Sequence, residues 1–166
     1  MIQTVLIDDE APARDELRYL LEKNHADTIN VVGEADTATS AISLITRVKP
    51  DLIFLDIHMH GLTGLELAQI IHDISPNSII VFATAYDEYA LKAFELHALD
   101  YIVKPIEEKR LADIVARAAK LHAALTGASH LATGTATSTT HDMGSNTATV
   151  TESAAPKATA DATAHS

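Results

Sequence analysis

The sequence contains no cysteine, no long apolar run and no excess of positive charge. Without cysteine, the chain of 166 residues has neither disulfides nor thiolate metal sites, which is typical of proteins from a reducing compartment. A membrane-spanning helix needs about 18 to 20 uncharged apolar residues, and no such stretch is present. The N-terminus also lacks the basic segment of a signal peptide. We therefore expect a soluble, cytoplasmic protein that does not associate with a membrane.

The formal net charge of -11 at pH 7 argues against one large class of function. Non-specific affinity for nucleic acids comes mostly from lysine and arginine side chains that neutralise phosphates. This chain has 12 such residues against 23 aspartates and glutamates. We expect no direct binding of nucleic acid by this chain, and cations or basic partner surfaces suit it better.

The composition changes near residue 125 and predicts two regions. Residues 1–125 alternate apolar runs with amphipathic stretches, whereas residues 126–166 are dominated by alanine, threonine and serine. A segment with so few large apolar side chains cannot offset the entropy that it loses on ordering. We therefore predict one folded domain over residues 1–125 and a disordered tail or linker over residues 126–166.

Short apolar runs with the composition of buried strands recur through the first region. They are rich in β-branched and aromatic residues and lie at residues 5–7, 29–32, 52–55, 79–82 and 101–103. The segments between them repeat apolar residues at helical spacing. This alternation predicts an α/β fold in which a doubly wound, five-stranded parallel sheet has helices on both faces. In the fourth helical segment, Leu91, Phe94 and the nearby Leu99 fit either the core or a partner surface, and we expect the core.

Polar residues that carry chemistry follow the ends of these strands. Open parallel sheets bind ligands outside the carboxyl ends of their strands. The residues at those ends include Asp8, Asp9, Asp56, Thr84 and Lys104. Three carboxylates in one place repel each other unless a cation is shared, and Mg²⁺ prefers oxygen ligands and phosphate. With Mg²⁺ bound, a carboxylate can attack a phosphoryl donor while Lys104 and Thr84 contact the phosphoryl oxygens.

Four sequence motifs follow one another along the chain. They are VLIDDE at 5–10, DLIFLDIHM at 51–59 with the glycines at 61 and 64, TA at 84–85, and YIVKP at 101–105. Each motif is weak alone, but in this order and spacing they are specific, and they resemble the motifs of response regulator receiver domains. The resemblance implies two-component signalling and a flavodoxin-like fold with strand order 2-1-3-4-5.

The resemblance also implies the residues of a phosphorylation site. Asp56 matches the phosphoacceptor, which receives a phosphoryl group from a histidine kinase or a phosphotransfer protein. Asp9 and Asp56 match the direct ligands of Mg²⁺, Asp8 assists mostly through water, and the main-chain carbonyl of His58 completes the protein ligands. No other cofactor is implied. Such a protein catalyses only its own phosphorylation and dephosphorylation and is otherwise not an enzyme.

Further positions match the residues that respond to phosphorylation. Lys104 would contact the phosphoryl group and precede a cis peptide bond to Pro105. Thr84 and Tyr101 match the switch pair, in which the hydroxyl moves toward the phosphate and the aromatic ring turns inward. The face formed by the fourth helix, the fifth strand and the fifth helix would then change shape, favouring a homodimer or a partner.

Residues 10–17, 83–94 and 98–101 narrow the resemblance to receivers of the LytTR class, which usually carry a C-terminal DNA-binding domain. No such domain follows here, so the chain is either a single-domain regulator or the receiver part of a longer transcription factor. His60 departs from the family pattern, because proline is common at this position. We expect His60 to alter the rate of dephosphorylation without removing the nucleophile.

Three other functions are consistent with parts of the pattern. A Mg²⁺-dependent phosphatase of external substrates also uses an aspartate at a strand end, but it needs a second carboxylate where His58 stands. A flavodoxin-like flavin or nucleotide carrier needs a glycine-rich loop after the first strand, where this chain is acidic. The pair His58 and His60 could bind a transition metal, but alternate residues of a loop need not converge on one ion.

Overall fold

The computed structural model describes residues 1–86 and 88–132, in which strands and helices alternate. The strands are β1 (Ile2–Ile7), β2 (Ile29–Ala35), β3 (Leu52–Leu55), β4 (Ile79–Thr84) and β5 (Asp100–Val103). The helices are α1 (Ala11–His25), α2 (Ala38–Val48), α3 (Gly64–Ile74), α4 (Ala90–Glu95) and α5 (Glu108–Ala132). Among these helices, none combines the length and apolar character that crossing a membrane requires.

The five strands form one parallel sheet in the order β2-β1-β3-β4-β5. This confirms the predicted fold and strand order. From β1 the chain moves outward to β2 and then returns to the other side of β1 to form β3, so the strand order reverses between β1 and β3. Ile7 pairs with Leu55 at the ends of these two strands. The residues that follow β1 and β3 therefore meet at the point where open α/β sheets bind ligands.

The core consists of two apolar layers, one on each face of the sheet. Successive side chains of a strand point to opposite faces, so Ile53 and Leu55 belong to one layer while Phe54 belongs to the other. The layer around Ile53 packs against α2, α3 and α4, and the layer around Phe54 packs against α1 and α5. Both faces of the central strands are thus buried, as their continuous apolar sequences predicted.

Capping interactions fix where the helices begin. The hydroxyls of Thr37 and Thr63 accept the backbone N–H groups of Ser40 and Glu66, whose side chains bond back to the capping residues. These capping boxes satisfy donors that the first turns of α2 and α3 leave without helical partners. Pro12 lies in the first turn of α1, where no helical N–H bond is lost. The start of α3 thereby anchors the loop that follows β3.

The prediction that Leu91 and Phe94 lie in the core is wrong. On α4, 79% of the Leu91 surface and 59% of the Phe94 surface are exposed, while Ala93 is the buried residue of this helix. Leu99 is partly buried and packs against the layer around Phe54. The apolar spacing located the helix correctly, but its apolar side chains form an exposed patch.

Helix α5 extends to Ala132, past the predicted boundary at residue 125. Alanine is the strongest helix former, so the alanine content that marks the tail also permits the helix to continue. Residues 133–166 lie outside the described residues. The disordered tail or linker predicted there therefore stays a prediction.

Candidate functional site

Three aspartates lie together beyond the carboxyl ends of β1 and β3. Asp8 and Asp9 follow β1, and Asp56 follows β3, where its backbone N–H donates to the carbonyl of Ile7 at 2.8 Å. One carboxylate oxygen from each aspartate lies within 4.8 Å of the other two. Asp8 and Asp56 are buried, and Asp9 is partly buried. The structure therefore brings together the three acids that the sequence marked as strand-end residues.

Lys104 reaches this cluster from the end of β5. Its Nζ atom lies 2.5 Å from Oδ2 of Asp8 and 4.0 Å from Oδ2 of Asp56. The peptide bond from Lys104 to Pro105 is cis, as the family resemblance implied. The ammonium group offsets part of the negative charge and stands close enough to contact a group bound to Asp56.

The surroundings of Asp56 combine burial with two opposing charges. Burial raises the pKa of Asp56, the positive charge of Lys104 lowers it, and the negative charge of Asp8 raises it further, so that the net direction is upward. Oδ1 of Asp56 and Oγ1 of Thr84 are both buried, and neither makes a hydrogen bond of normal geometry among the described residues, although weaker contacts with the Thr84 hydroxyl and the His58 backbone N–H also lower the pKa of Asp56. A buried polar atom without a partner costs about 1–3 kcal/mol, so both atoms are suited to bind a ligand.

The donor set fits a hard divalent cation. Mg²⁺ prefers oxygen ligands and is commonly held by one or two carboxylates together with phosphate oxygens. The three clustered carboxylates supply such oxygens, and the Oδ1 atom of Asp56 without a partner supplies a free one. A pocket of about 310 Å³ opens over Asp9 and Asp56, and its lining also includes His58, Thr84, Tyr86 and Lys104.

The loop between β3 and α3 passes very close to Asp56. The backbone N–H of Gly64 donates to the carbonyl of Ile57 at 2.8 Å. A Cβ atom on Gly64 would lie 2.0 Å from the carbonyl oxygen of Asp56, so only glycine fits there. The exposed ring of His58 packs against the rings of Tyr86 and Tyr89, with centroids 4.2 and 5.1 Å away. The loop thus carries His58 to the rim of the pocket.

His60 contacts Asp9, which sequence reasoning missed. The Nδ1 atom of His60 lies 2.5 Å from Oδ2 of Asp9, and its backbone N–H donates to the same oxygen at 3.2 Å. Proline, common at this position in the family, has neither an imidazole nor an N–H group. The presence of His60 where proline is common was therefore a usable signal of a special contact, although it did not identify Asp9 as the partner.

Tyr101 links β5 to the loop after β4. Its ring is buried, and its hydroxyl donates to the main-chain carbonyl of Tyr86. Thr84, at the end of β4, is fully buried, and its carbonyl accepts the backbone N–H of Lys104 at 2.8 Å. The two residues of the predicted switch pair therefore lie on adjacent strands. The Tyr101 ring is already buried without phosphorylation, and its inward turn on phosphorylation stays a prediction.

A second ion-pair group lies on β5 and was also missed. The carboxylate of Asp100 is buried beside Tyr101 and pairs with the guanidinium groups of Arg110 and Arg117 on α5. A lone acidic residue in an apolar strand, with two arginines seven positions apart on the next helix, is a signal that could have indicated this contact. It joins α5 to the strand that carries Tyr101.

Residues 4–116 match the family described as the response regulator receiver domain, which is more than half of the chain. The chain belongs to this family. It is a signalling domain of two-component systems, in which receiver domains partner with histidine kinases. This receiver domain therefore has the strand order, the three aspartates and the strand-end lysine described above.

Curated relatives place this receiver domain in the LytTR class, as the sequence indicated. The sensory transduction protein LytT of Bacillus anthracis is 47% identical over 111 residues, covering 67% of this chain and 44% of the relative. The transcriptional regulatory protein BtsR of Salmonella typhi is 50% identical over 111 residues, covering 67% of this chain and 45% of the relative. The chain therefore spans less than half the length of these relatives.

Solved structures show the same fold. The response regulatory domain of mrkE from Klebsiella pneumoniae has a TM-score of 0.67 and 34% identity, covering 73% of this chain and 98% of that one. The receiver domain of AraT from Geobacillus stearothermophilus has a TM-score of 0.65 and 34% identity, covering 78% of this chain and 99% of that one. These likenesses agree with a flavodoxin-like receiver fold.

Proposed function

We propose that this receiver domain accepts a phosphoryl group on Asp56 while Mg²⁺ is bound beside it. The observation that carries the proposal is the buried Asp56 carboxylate, which shares a cluster with Asp8 and Asp9 and lies 4.0 Å from Lys104. The donor is a phosphohistidine of a sensor histidine kinase or a phosphotransfer protein. A carboxylate oxygen of Asp56 attacks phosphorus, the phosphorus–nitrogen bond breaks, and the leaving imidazole takes up a proton.

The residues that would hold Mg²⁺ are the carboxylates of Asp9 and Asp56 and the main-chain carbonyl of His58, with Asp8 assisting mostly through water. When bound, the ion supplies positive charge that offsets the charge of the phosphoryl oxygens. The protein contributes a buried nucleophile whose charge is partly balanced by Lys104. In this proposal the chain catalyses only the formation and slow hydrolysis of its own aspartyl phosphate.

Lys104 and Thr84 are the proposed contacts to the phosphoryl oxygens. Lys104 already lies between Asp8 and Asp56, so that a group added to Asp56 enters its reach. The Oγ1 atom of Thr84 is buried without a hydrogen bond of normal geometry among the described residues and can donate a hydrogen bond to a phosphoryl oxygen. Movement of Thr84 would be transmitted to Tyr101, whose hydroxyl bonds to the loop that follows Thr84.

The proposed output surface is the face of α4, β5 and α5. It carries exposed apolar side chains of Leu91, Phe94 and Val103. Phosphorylation would change this face and favour a homodimer or a partner protein.

Because relatives such as BtsR are transcriptional regulatory proteins more than twice as long as the matched part, we infer a role in transcription when a DNA-binding domain follows. Sedimentation of the phosphorylated chain as an unchanged monomer, without partner binding, would contradict the proposed surface.

The phosphorylation site is tested by labelling with acetyl phosphate and Mg²⁺, followed by phosphate-affinity electrophoresis. The wild type should shift, and chelation of Mg²⁺ should prevent the shift. Asp56→Asn should show no shift because the amide is not a nucleophile for phosphorus. Asp73→Asn, a matched change at an exposed aspartate of α3, should behave as the wild type. Unchanged labelling of Asp56→Asn would overturn the assignment.

A further inference from the structure

Arg14 on α1 contacts the acidic cluster through the main chain of Asp8. Its Nη1 atom donates to the main-chain carbonyl of Asp8 at 2.6 Å. Its Nε atom pairs with Oε2 of Glu34 on β2 at 3.2 Å. Only 15% of the arginine side chain is exposed. A charged group is rarely this buried unless its donors are used, so the two contacts account for its position.

The contact with Arg14 completes the set of bonds that hold Asp8. The backbone N–H of Asp8 donates to the carbonyl of Ala35 at 3.1 Å. Its Oδ1 atom accepts a hydrogen bond from the backbone N–H of Glu10 at 2.9 Å, and its Oδ2 atom accepts one from the ammonium group of Lys104. The carbonyl of Asp8 lies beyond the end of β1, where it accepts a hydrogen bond from Arg14. This carbonyl belongs to the peptide unit that joins Asp8 to Asp9.

Glu34 holds Arg14 in place. One oxygen of its carboxylate accepts a hydrogen bond from Nε of Arg14 at 3.2 Å, and the other accepts one from Nε of Arg18 at 2.6 Å. Burial raises the pKa of Glu34, but the hydrogen bonds and charges of Arg18 and Arg14 outweigh it and lower the pKa overall. Glu34 is therefore a carboxylate near neutral pH. Arg14 uses two different nitrogens, Nε and Nη1, for this carboxylate and the Asp8 carbonyl, whereas a lysine has a single nitrogen that both acceptors would have to share.

We propose that Arg14 is a positioning residue that fixes the Asp8-Asp9 peptide in the orientation that binds the divalent cation. The inference rests on the proposed function, because it concerns the same metal site. Without Arg14, the Asp8 carbonyl has no hydrogen-bond donor among the described residues, and the peptide unit can rotate toward water. Rotation of that unit redirects the chain at Asp9, whose carboxylate is a proposed direct ligand. Groups that orient metal ligands typically change metal affinity by about 10–100-fold when they are removed.

Arg18 provides a matched control. It lies one turn further along α1 and pairs with the same carboxylate of Glu34 at 2.6 Å. Its other contact is an ion pair with Glu22 at 3.2 Å, on the exposed side of the helix. No hydrogen bond joins Arg18 to Asp8 among the described residues. Arg14→Gln and Arg18→Gln therefore remove the same charge from the same helix, but only Arg14→Gln removes the bond to the Asp8 carbonyl.

The test is isothermal titration of the unphosphorylated chain with Mg²⁺. Arg14→Gln should bind Mg²⁺ about 10-fold more weakly than the wild type, whereas Arg18→Gln should bind it as tightly as the wild type or slightly more tightly. Loss of a positive charge near a cation site strengthens cation binding, so weaker binding by Arg14→Gln cannot result from the charge change. Equal affinity of Arg14→Gln and the wild type would overturn the inference.

A second measurement separates positioning from a general loss of stability. The rate of labelling by acetyl phosphate is followed against Mg²⁺ concentration. Positioning predicts that Arg14→Gln needs more Mg²⁺ for half of its maximal rate and reaches the wild-type rate at saturation. A lower maximal rate with an unchanged Mg²⁺ midpoint would instead indicate damaged folding and overturn the inference.

Two further outcomes are informative. If Arg14→Gln does not fold, Arg14→Lys replaces it, because lysine keeps the charge but offers one nitrogen in place of the two that Arg14 uses. The Mg²⁺ affinity of Arg14→Lys should fall below that of the wild type, and an unchanged affinity would overturn the inference. A wild-type chain that neither binds Mg²⁺ nor becomes labelled would overturn the proposed function itself. Normal wild-type behaviour with unaffected Arg14 variants would overturn only the role of Arg14.

Discussion

At the scale of single residues, the three clustered aspartates differ in what surrounds their carboxylates. Both oxygens of Asp8 accept hydrogen bonds, from Lys104 and from a backbone N–H group. One oxygen of Asp56 is buried without a partner among the described residues. Oδ2 of Asp9 is bound by both the ring and the backbone N–H of His60. A cation that binds Asp9 through this oxygen has to displace the histidine ring.

Replacing His60 should therefore tighten Mg²⁺ binding. His60→Ala removes the imidazole and keeps the backbone N–H, so it isolates the contribution of the ring. The His60 side chain is 99% exposed, and exposed pairs of this kind contribute at most about 1 kcal/mol, so the affinity for Mg²⁺ should rise by no more than about 5-fold. Isothermal titration measures the change, with His72→Ala at an exposed site on α3 as the control. Weaker binding by His60→Ala would show that the histidine supports the site instead of competing for Asp9.

At the scale of structural elements, the junction between β3 and α3 depends on Gly64. This residue begins α3 directly after the capping residue Thr63. Its Cα approaches the chain at Asp56 so closely that a side chain would collide with backbone atoms, which cannot move aside. The same glycine therefore fixes the helix start and the position of the proposed nucleophile.

Gly64→Ala should destabilise the fold by about 1–3 kcal/mol, because the added methyl group has no space. Gly127→Ala in α5 is the matched control, since nothing lies within 4 Å of the Cβ atom that it adds. Alanine is the better helix former there, so this control should gain up to about 1 kcal/mol. Urea unfolding followed by circular dichroism measures both. A Gly64→Ala variant as stable as its parent would contradict the close approach.

Much of the element structure could be predicted from the sequence. Apolar runs located all five strands, and strand-end residues indicated Asp8, Asp9, Asp56, Thr84 and Lys104, because parallel strands direct their carboxyl ends to one edge. Apolar spacing on α4 did not reveal that Leu91 and Phe94 face outward, since spacing identifies a stripe but not what covers it. Contacts between distant polar groups, such as those of His60 and Arg14, depend on how separate segments of the chain fold together, which no local pattern encodes.

At the scale of the whole molecule, the site exists only when distant parts of the chain fold together. Lys104 and Asp8 are separated by 96 positions in the sequence but lie in contact. The sheet that joins them is held between two apolar layers, with Phe54 at the centre of one layer. Loss of core packing should therefore affect the stability of the fold and the geometry of the site together.

Phe54→Ala should reduce the free energy of unfolding by about 3–5 kcal/mol, since a fully buried aromatic side chain leaves a cavity. Phe94→Ala makes the same chemical change at an exposed position of α4 and should alter it by less than about 0.5 kcal/mol. Urea titration of both variants provides the comparison. Similar losses in the two variants would contradict the assignment of Phe94 to the surface.

The central claim is that Asp9, Asp56 and Lys104 share one cation and one phosphoryl group. The most direct test is a crystal structure of the chain with Mg²⁺ and beryllofluoride, which mimics a phosphoryl group on a carboxylate. We predict beryllofluoride on Asp56, contacted by Lys104 and Thr84, and a single Mg²⁺ bound to Asp9, Asp56 and the His58 carbonyl. Beryllofluoride or Mg²⁺ bound elsewhere, with Asp56 unmodified, would contradict the account.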